Sequence, residues 1–247
     1  MWVESRESAR MLALRSIGCA TTKLNRFKWR EMGELLRIEK NGMRRMGSEA
    51  VVDVPEWASK PCIMGIYEAG RGPMVYGCLY CARSYQKTLA TLSFADSKTL
   101  KEEKREKLFG ELKENDSIGW AFDVIDPREL SAKMLKKNKI NLNEISHDSA
   151  MGLIDRVLKM GVLLTEVYID TVGGAGKYEA KLSKVFPSIK FVIAEKADSL
   201  YPVVSGASIV AKVTRDRAVR EWVFDETAEN ILRNFGSGYP AGILLTM

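Results

Sequence analysis

The chain has 247 residues, 46% of them hydrophobic, and carries a formal net charge of +6 at pH 7 with an isoelectric point near 9.0. That length holds one good core, or one core plus an appendage. The basic balance favours a polyanionic partner, although acids nearly offset the lysines and arginines. Four cysteines, Cys19, Cys62, Cys78 and Cys81, are too few and too unevenly placed for a disulfide framework and predict a reducing compartment. No apolar stretch approaches a membrane span and no secretory segment is evident, so the expectation is a soluble intracellular chain without membrane contact.

Residues 1–54 are rich in arginine and methionine and lack regular apolar spacing. They are expected to form an N-terminal extension, flexible apart from a helix over residues 29–38, ahead of a domain at 55–247. From Pro61 the pattern becomes regular. Two apolar, β-prone runs, Cys62 to Tyr67 and Met74 to Ala82, flank the Gly70-Arg71-Gly72-Pro73 turn and should pair as adjacent strands. Thr99-Leu100-Lys101-Glu102 has the form of a capping box and predicts a helix to about Lys113. A strand over Ile118 to Ile125 leads into Asp126-Pro127, a helix start with proline at the first position.

An amphipathic helix is predicted from about Asn143 to Met160, stopping at Gly161. Strand and helix then alternate: Leu164 to Asp170 strand, Lys177 to Val185 helix, Ile189 to Ala194 strand, Ser205 to about Glu229 broken helix. Paired strands followed by β-α-β-α imply an α/β fold, a mixed sheet with helices on its faces. In such a sheet, sites gather beyond the carboxyl ends of parallel strands.

Three carboxylates fall at such places: Glu68 before Gly70-Arg71-Gly72, Asp170 in Ile169-Asp170-Thr171, and Asp198 in Lys196-Ala197-Asp198. An ionised carboxylate where a buried strand emerges needs water, a cation or several donors, and three together point to a cation. Acids at strand ends also cap helices or pair with lysine, so each taken alone stays open. Two divalent cations about 4 Å apart would serve an in-line phosphodiester displacement, and oxygen ligands imply magnesium or manganese over zinc. Glycines on both sides of Arg71 let the backbone approach a phosphate or a ribose hydroxyl, or simply form a tight turn.

Other features carry less. Cys78 and Cys81 have the spacing of half a zinc site, but strand alternation sends them to opposite faces. Gly173-Gly174-Ala175-Gly176-Lys177 lacks the following Ser or Thr of a phosphate loop, since Tyr178 stands there. His147 reads as a packing residue. Lys133, Lys136, Lys137 and Lys139 form a basic cluster, by default a solvated face.

Glu68-Ala69-Gly70-Arg71-Gly72, Asp96-Ser97-Lys98-Thr99-Leu100, Asn141-Leu142-Asn143 before Ser146-His147-Asp148, Asp170-Thr171-Val172-Gly173, Lys196-Ala197-Asp198 and Gly236-Ser237-Gly238-Tyr239-Pro240 occur in one order. Together they closely resemble the ribonuclease HII family, in particular the catalytic A subunits of eukaryotic type 2 ribonuclease H. The resemblance implies a ribonuclease H-like fold and a metal-dependent endonuclease. Its substrates would be the RNA strand of RNA·DNA hybrids and DNA with embedded ribonucleotides, cut on the 5′ side. It makes Glu68, Asp170 and Asp198 catalytic metal ligands for Mg2+ or Mn2+. It also makes Gly70, Arg71 and Gly72 the reader of the ribose 2′-hydroxyl, Tyr239 a stacking residue and Asn141 a backbone contact. Two accessory subunits and nuclear work in replication and ribonucleotide removal are further implications.

The chain departs from that pattern. Tyr67 stands where the family has an aspartate, and a phenol, neutral near pH 7, is a poorer ligand than a carboxylate. Pro73-Met74 follows Gly72 at once, which shortens the hairpin. Gly174-Ala175-Gly176 replaces an acidic or proline-containing segment, with a looser helix start expected after Asp170. The chain ends at Met247, where family members continue into a helical portion that docks the accessory subunits. The resulting expectation is a weak or inactive nuclease; the alternative is a non-catalytic hybrid-binding protein that keeps the fold.

Overall fold

The structure is a computed structural model and describes residues 54–70, 74–92, 94, 100–135, 142–171 and 175–220. The N-terminal extension, the helix expected over 29–38, the 136–139 lysines, the Gly173-Gly174 segment and the chain after Arg220 lie outside the described residues.

Five strands form one sheet in the order β3-β2-β1-β4-β5. They are β1 (Cys62–Ala69), β2 (Met74–Ala82), β3 (Ile118–Ile125), β4 (Leu164–Asp170) and β5 (Lys190–Ala194). The first three pair antiparallel, while β1–β4 and β4–β5 are parallel. This is the predicted mixed sheet, and it follows from the connections. A tight turn can only return a strand antiparallel, whereas the crossover into β5 carries a helix and leaves its strands parallel.

The helices are α1 (Gln86–Thr91), α2 (Glu102–Glu114), α3 (Pro127–Met134), α4 (Leu142–Lys159), α5 (Ala175–Val185), α6 (Ala197–Leu200) and α7 (Pro202–Arg220). Gly161, at φ 86°, stops the chain after α4. On one side of the sheet, Ile145, Leu153, Ile154 and Val157 of α4 join Cys62, Met64 and Ile66 of β1 and Cys78 of β2 in one buried cluster. On the other side, Val203, Val204, Ala207, Val210 and Ala211 of α7 join Ile63 of β1 and Leu79 and Cys81 of β2. Period-2 alternation along β1 therefore feeds two cores at once, and Cys78 and Cys81 do fall on opposite faces.

Helix α7 lies against the sheet at backbone distance. A Cβ built on Gly65 would stand 2.3 Å from the Val203 carbonyl oxygen, and one on Gly77 would stand 2.6 Å from the Ala211 nitrogen. No side chain fits there. The pair α2 and α7 is tied on its rim by ion pairs, Arg105 to Asp216 at 2.9 Å and Arg217 to Glu106 at 2.5 Å.

Several boundaries differ from expectation. Strand β1 runs on through Glu68 to Ala69, because those residues still have partners in β2, Tyr76 and Val75. Helix α2 begins at Glu102, capped at Lys101 without a side-chain bond, so the predicted capping box does not set its start. Helix α5 begins at Ala175, two residues before the predicted Lys177. The last predicted helix opens three residues before Ser205, as α7 at Pro202, where a missing N–H costs nothing, and α6, which holds Asp198, precedes it without having been predicted. Short 3-10 turns at Glu56–Ser59 and Arg83–Tyr85, and α1 after the second, carry no sequence signal strong enough to predict.

Candidate functional site

The predicted acids sit where the parallel strands end. Asp170 is the last residue of β4. Its Oδ1 accepts a hydrogen bond from the Ala197 backbone N–H at 2.7 Å. The turn between β5 and α6 makes this contact possible: Lys196 takes a left-handed conformation at φ 54°, uncommon for a residue with a side chain, and so swings the next N–H back toward β4. Asp198 follows one residue later and is buried, 3% exposed. Asp198 thus follows directly on the residue whose backbone N–H binds Asp170.

Position 67 belongs to the same side. The β1–β4 register pairs Gly65 with Tyr168 and Ile66 with Ile169, and one further step sets Tyr67 beside Asp170. Alternation puts both on the face covered by α6 and α7. The Tyr67 ring is buried there, 3% exposed, with the Lys212 ammonium 5.1 Å from its centroid. A cation over an aromatic face gains from the ring's electron-rich centre.

Glu68 goes the other way. It lies opposite Tyr76 across the hairpin, and its Oε2 accepts a hydrogen bond from the Tyr76 hydroxyl. Ser146, from the first turns of α4, hydrogen-bonds the same tyrosine and stands 3.4 Å from the same carboxylate oxygen. Burial, then the Glu68 charge, pushes the Tyr76 phenol far above its usual range, and burial followed by the same charge raises Tyr178. Tyr178 stacks on His147 at 3.7 Å between ring centroids. His147 is therefore a packing residue, as expected; burial first and the Lys181 cation second hold its imidazole below the ordinary range.

Gly70 takes φ 84° directly after β1, a conformation that suits glycine. Arg71, Gly72, Asn141 and Tyr239 lie outside the described residues. Among the described residues, no group of three or more His, Cys, Asp or Glu side chains converges closely enough to hold a metal ion. Glu166 on β4 illustrates the structural use of a buried acid: Tyr168 donates to it at 2.6 Å and Arg83 pairs with it at 3.0 Å.

Sequence reasoning missed Tyr76 and Lys212, and it gave Ser146 no role beside Glu68. Tyr76 was hidden inside an unbroken apolar strand, although counting back through the hairpin from Glu68 would have found it. Lys212 sits on a helix whose approach to β1 no local pattern announces.

A family profile described as Ribonuclease HII matches residues 64–242. The chain belongs to the ribonuclease HII family. It is 74% identical over 190 residues to the A subunit of ribonuclease H2 from Arabidopsis thaliana, and 49% identical over 185 residues to that of Homo sapiens. Those alignments cover 75% and 73% of the chain but 64% and 62% of the relatives, so this chain spans a little under two thirds of their length. The fold is likewise similar to the crystal structure of ribonuclease H2 from Pyrococcus horikoshii OT3, with a TM-score of 0.56 at 26% identity over 73% of this chain and 81% of that one. The ribonuclease HII membership and the mixed α/β sheet agree with what the motifs implied.

Proposed function

We propose that this chain is a metal-dependent endonuclease of RNA·DNA hybrids. It would cut the RNA strand and the 5′ side of ribonucleotides embedded in duplex DNA, with Tyr67 holding its rate low. The bond from the Ala197 N–H to Asp170, one residue before the buried Asp198 and beyond the ends of two parallel strands, carries the reading. Membership of the ribonuclease HII family supports the substrate class. Steep loss of rate is the expected consequence of a missing anionic ligand in such a site.

The donors fit a hard divalent cation in kind, because all are carboxylate oxygens. On the α7 face they fall one short in number, since position 67 offers a buried phenol. Asp170 and Asp198 would hold magnesium or manganese, with Glu68 contributing from the neighbouring strand. Such an ion, when bound, activates water and neutralises charge on a departing oxygen. The remaining work belongs to the chain itself. Gly70, Arg71 and Gly72 would read the ribose 2′-hydroxyl, the group that separates RNA from DNA, while Asn141 and Tyr239 would hold the backbone and the neighbouring sugar. The relatives are each named as one lettered component of ribonuclease H2, which supports work in a multi-subunit complex, and two accessory subunits would be its partners there. On this reading the complex acts in the nucleus on replicated DNA.

Cleavage of a duplex with one embedded ribonucleotide, in magnesium or manganese, tests this directly. Slow cutting that disappears in Asp170→Asn is expected. A second reading, favoured by Tyr67, is a hybrid-binding protein without catalysis; it predicts salt-sensitive binding of the duplex and no cutting with either ion.

A further inference from the structure

The Glu68 carboxylate is embedded in a small relay that neither the motifs nor the family assignment brings out. Tyr76 comes from the facing strand of the hairpin and Ser146 from α4, so two separate elements converge on one oxygen, Oε2. A hydroxyl has one hydrogen to give. Tyr76 donates its hydrogen to Glu68, so its own oxygen accepts from Ser146, and the order Ser146 to Tyr76 to Glu68 follows. The Tyr76 ring is only 3% exposed and packs in the α4-side core, so its hydroxyl cannot swing away without disturbing that core.

We propose that Tyr76, backed by Ser146, is a positioning residue that fixes the Glu68 carboxylate for holding a divalent cation. The inference rests on the metal-dependent reading above. Hydrogen-bonded neighbours of ligating carboxylates set the ligand's orientation, and losing one lowers metal affinity about 10–100-fold. The Glu68 side chain leaves β1 toward α4, and the relay fixes where that side chain stops.

The test is Mn2+ uptake by the full chain, read from the electron paramagnetic resonance signal of free Mn2+, with a thermal melt of every variant. Asp170→Asn should abolish uptake. Tyr76→Phe, which keeps the ring in the core, should weaken it about tenfold, and Ser146→Ala should weaken it in the same direction by less. The deciding comparison repeats Tyr76→Phe on a Glu68→Gln background, where it should change nothing. Tyr76→Phe binding like the parent while Asp170→Asn loses the ion would overturn the positioning role and leave the metal site standing. An equal loss on the Glu68→Gln background would also overturn it, since the effect would then not pass through Glu68. No uptake by the parent would remove the metal site and this role with it.

Discussion

Two adjacent residues of β1 meet very different surroundings. Tyr67 faces α7, where glycines let helix and sheet backbones touch and the neighbours are Val203, Ala207 and the Lys212 ammonium. Glu68 faces α4, where a tyrosine and a serine hydroxyl reach its carboxylate. The α7 face packs at backbone distance and has Asp170 and Asp198 on its side of the sheet, whereas the α4 face sets the Tyr76 and Ser146 hydroxyls against a carboxylate at the strand end. A site drawing on both faces needs the right residue at each of two successive positions. In this chain only the second of them is an acid.

The largest effect should come from the α7 face. Gly65→Val places a side chain inside the Val203 backbone, and because backbone cannot move aside cheaply the expected loss is about 3 kcal/mol or more. A chain without a cooperative melt would bear that out, while an unchanged melt would mean α7 does not lie so close. Leu153→Ala on the α4 face removes a fully buried side chain and should cost about 2–5 kcal/mol in urea unfolding. A loss under about 1 kcal/mol would show that the α4 core is looser than the α7 one.

Smaller effects sharpen the contrast at the rims. Asp216→Ala strips Arg105 of a largely buried partner at 2.9 Å and should cost about 1–3 kcal/mol, measured in the same way. The smallest effect is a pH dependence on the α4 side. His147 has a folded-state value below the ordinary imidazole range, so folding favours its neutral form. That contribution is present above about pH 6.5 and fades as the pH falls through the lowered value. His147→Phe should therefore flatten the decline in urea midpoint between about pH 7.5 and 5.5; parallel profiles would contradict the assignment.

Much of this architecture was legible in the sequence. Strands β2, β3 and β4 match their apolar runs residue for residue, because turn residues or charged segments bound them on both sides. The turn from β5 into α6 was not, since it depends on a left-handed lysine, and nothing in the side chain of Lys196 announces that conformation. Asp170 and Asp198 were readable as acids beyond strand ends, and the parallel β4–β5 pair sets those two ends side by side. Glu68 was readable as an acid but not as one turned to the other face, which required knowing that β1 continues two residues beyond its apolar run. The neighbours of Tyr67 needed the helix-to-sheet distance, a tertiary fact with no local signal.

The central claim is that position 67 limits an otherwise prepared site. The most direct measurement is the rate at which purified Tyr67→Asp cuts a duplex with one embedded ribonucleotide in magnesium, beside the parent chain and a Tyr67→Asp, Asp170→Ala double variant, with melts confirming that all three fold. A rise on the order of 100-fold over the parent is expected, abolished in the double variant. A folded Tyr67→Asp chain that cuts no faster than the parent would contradict it.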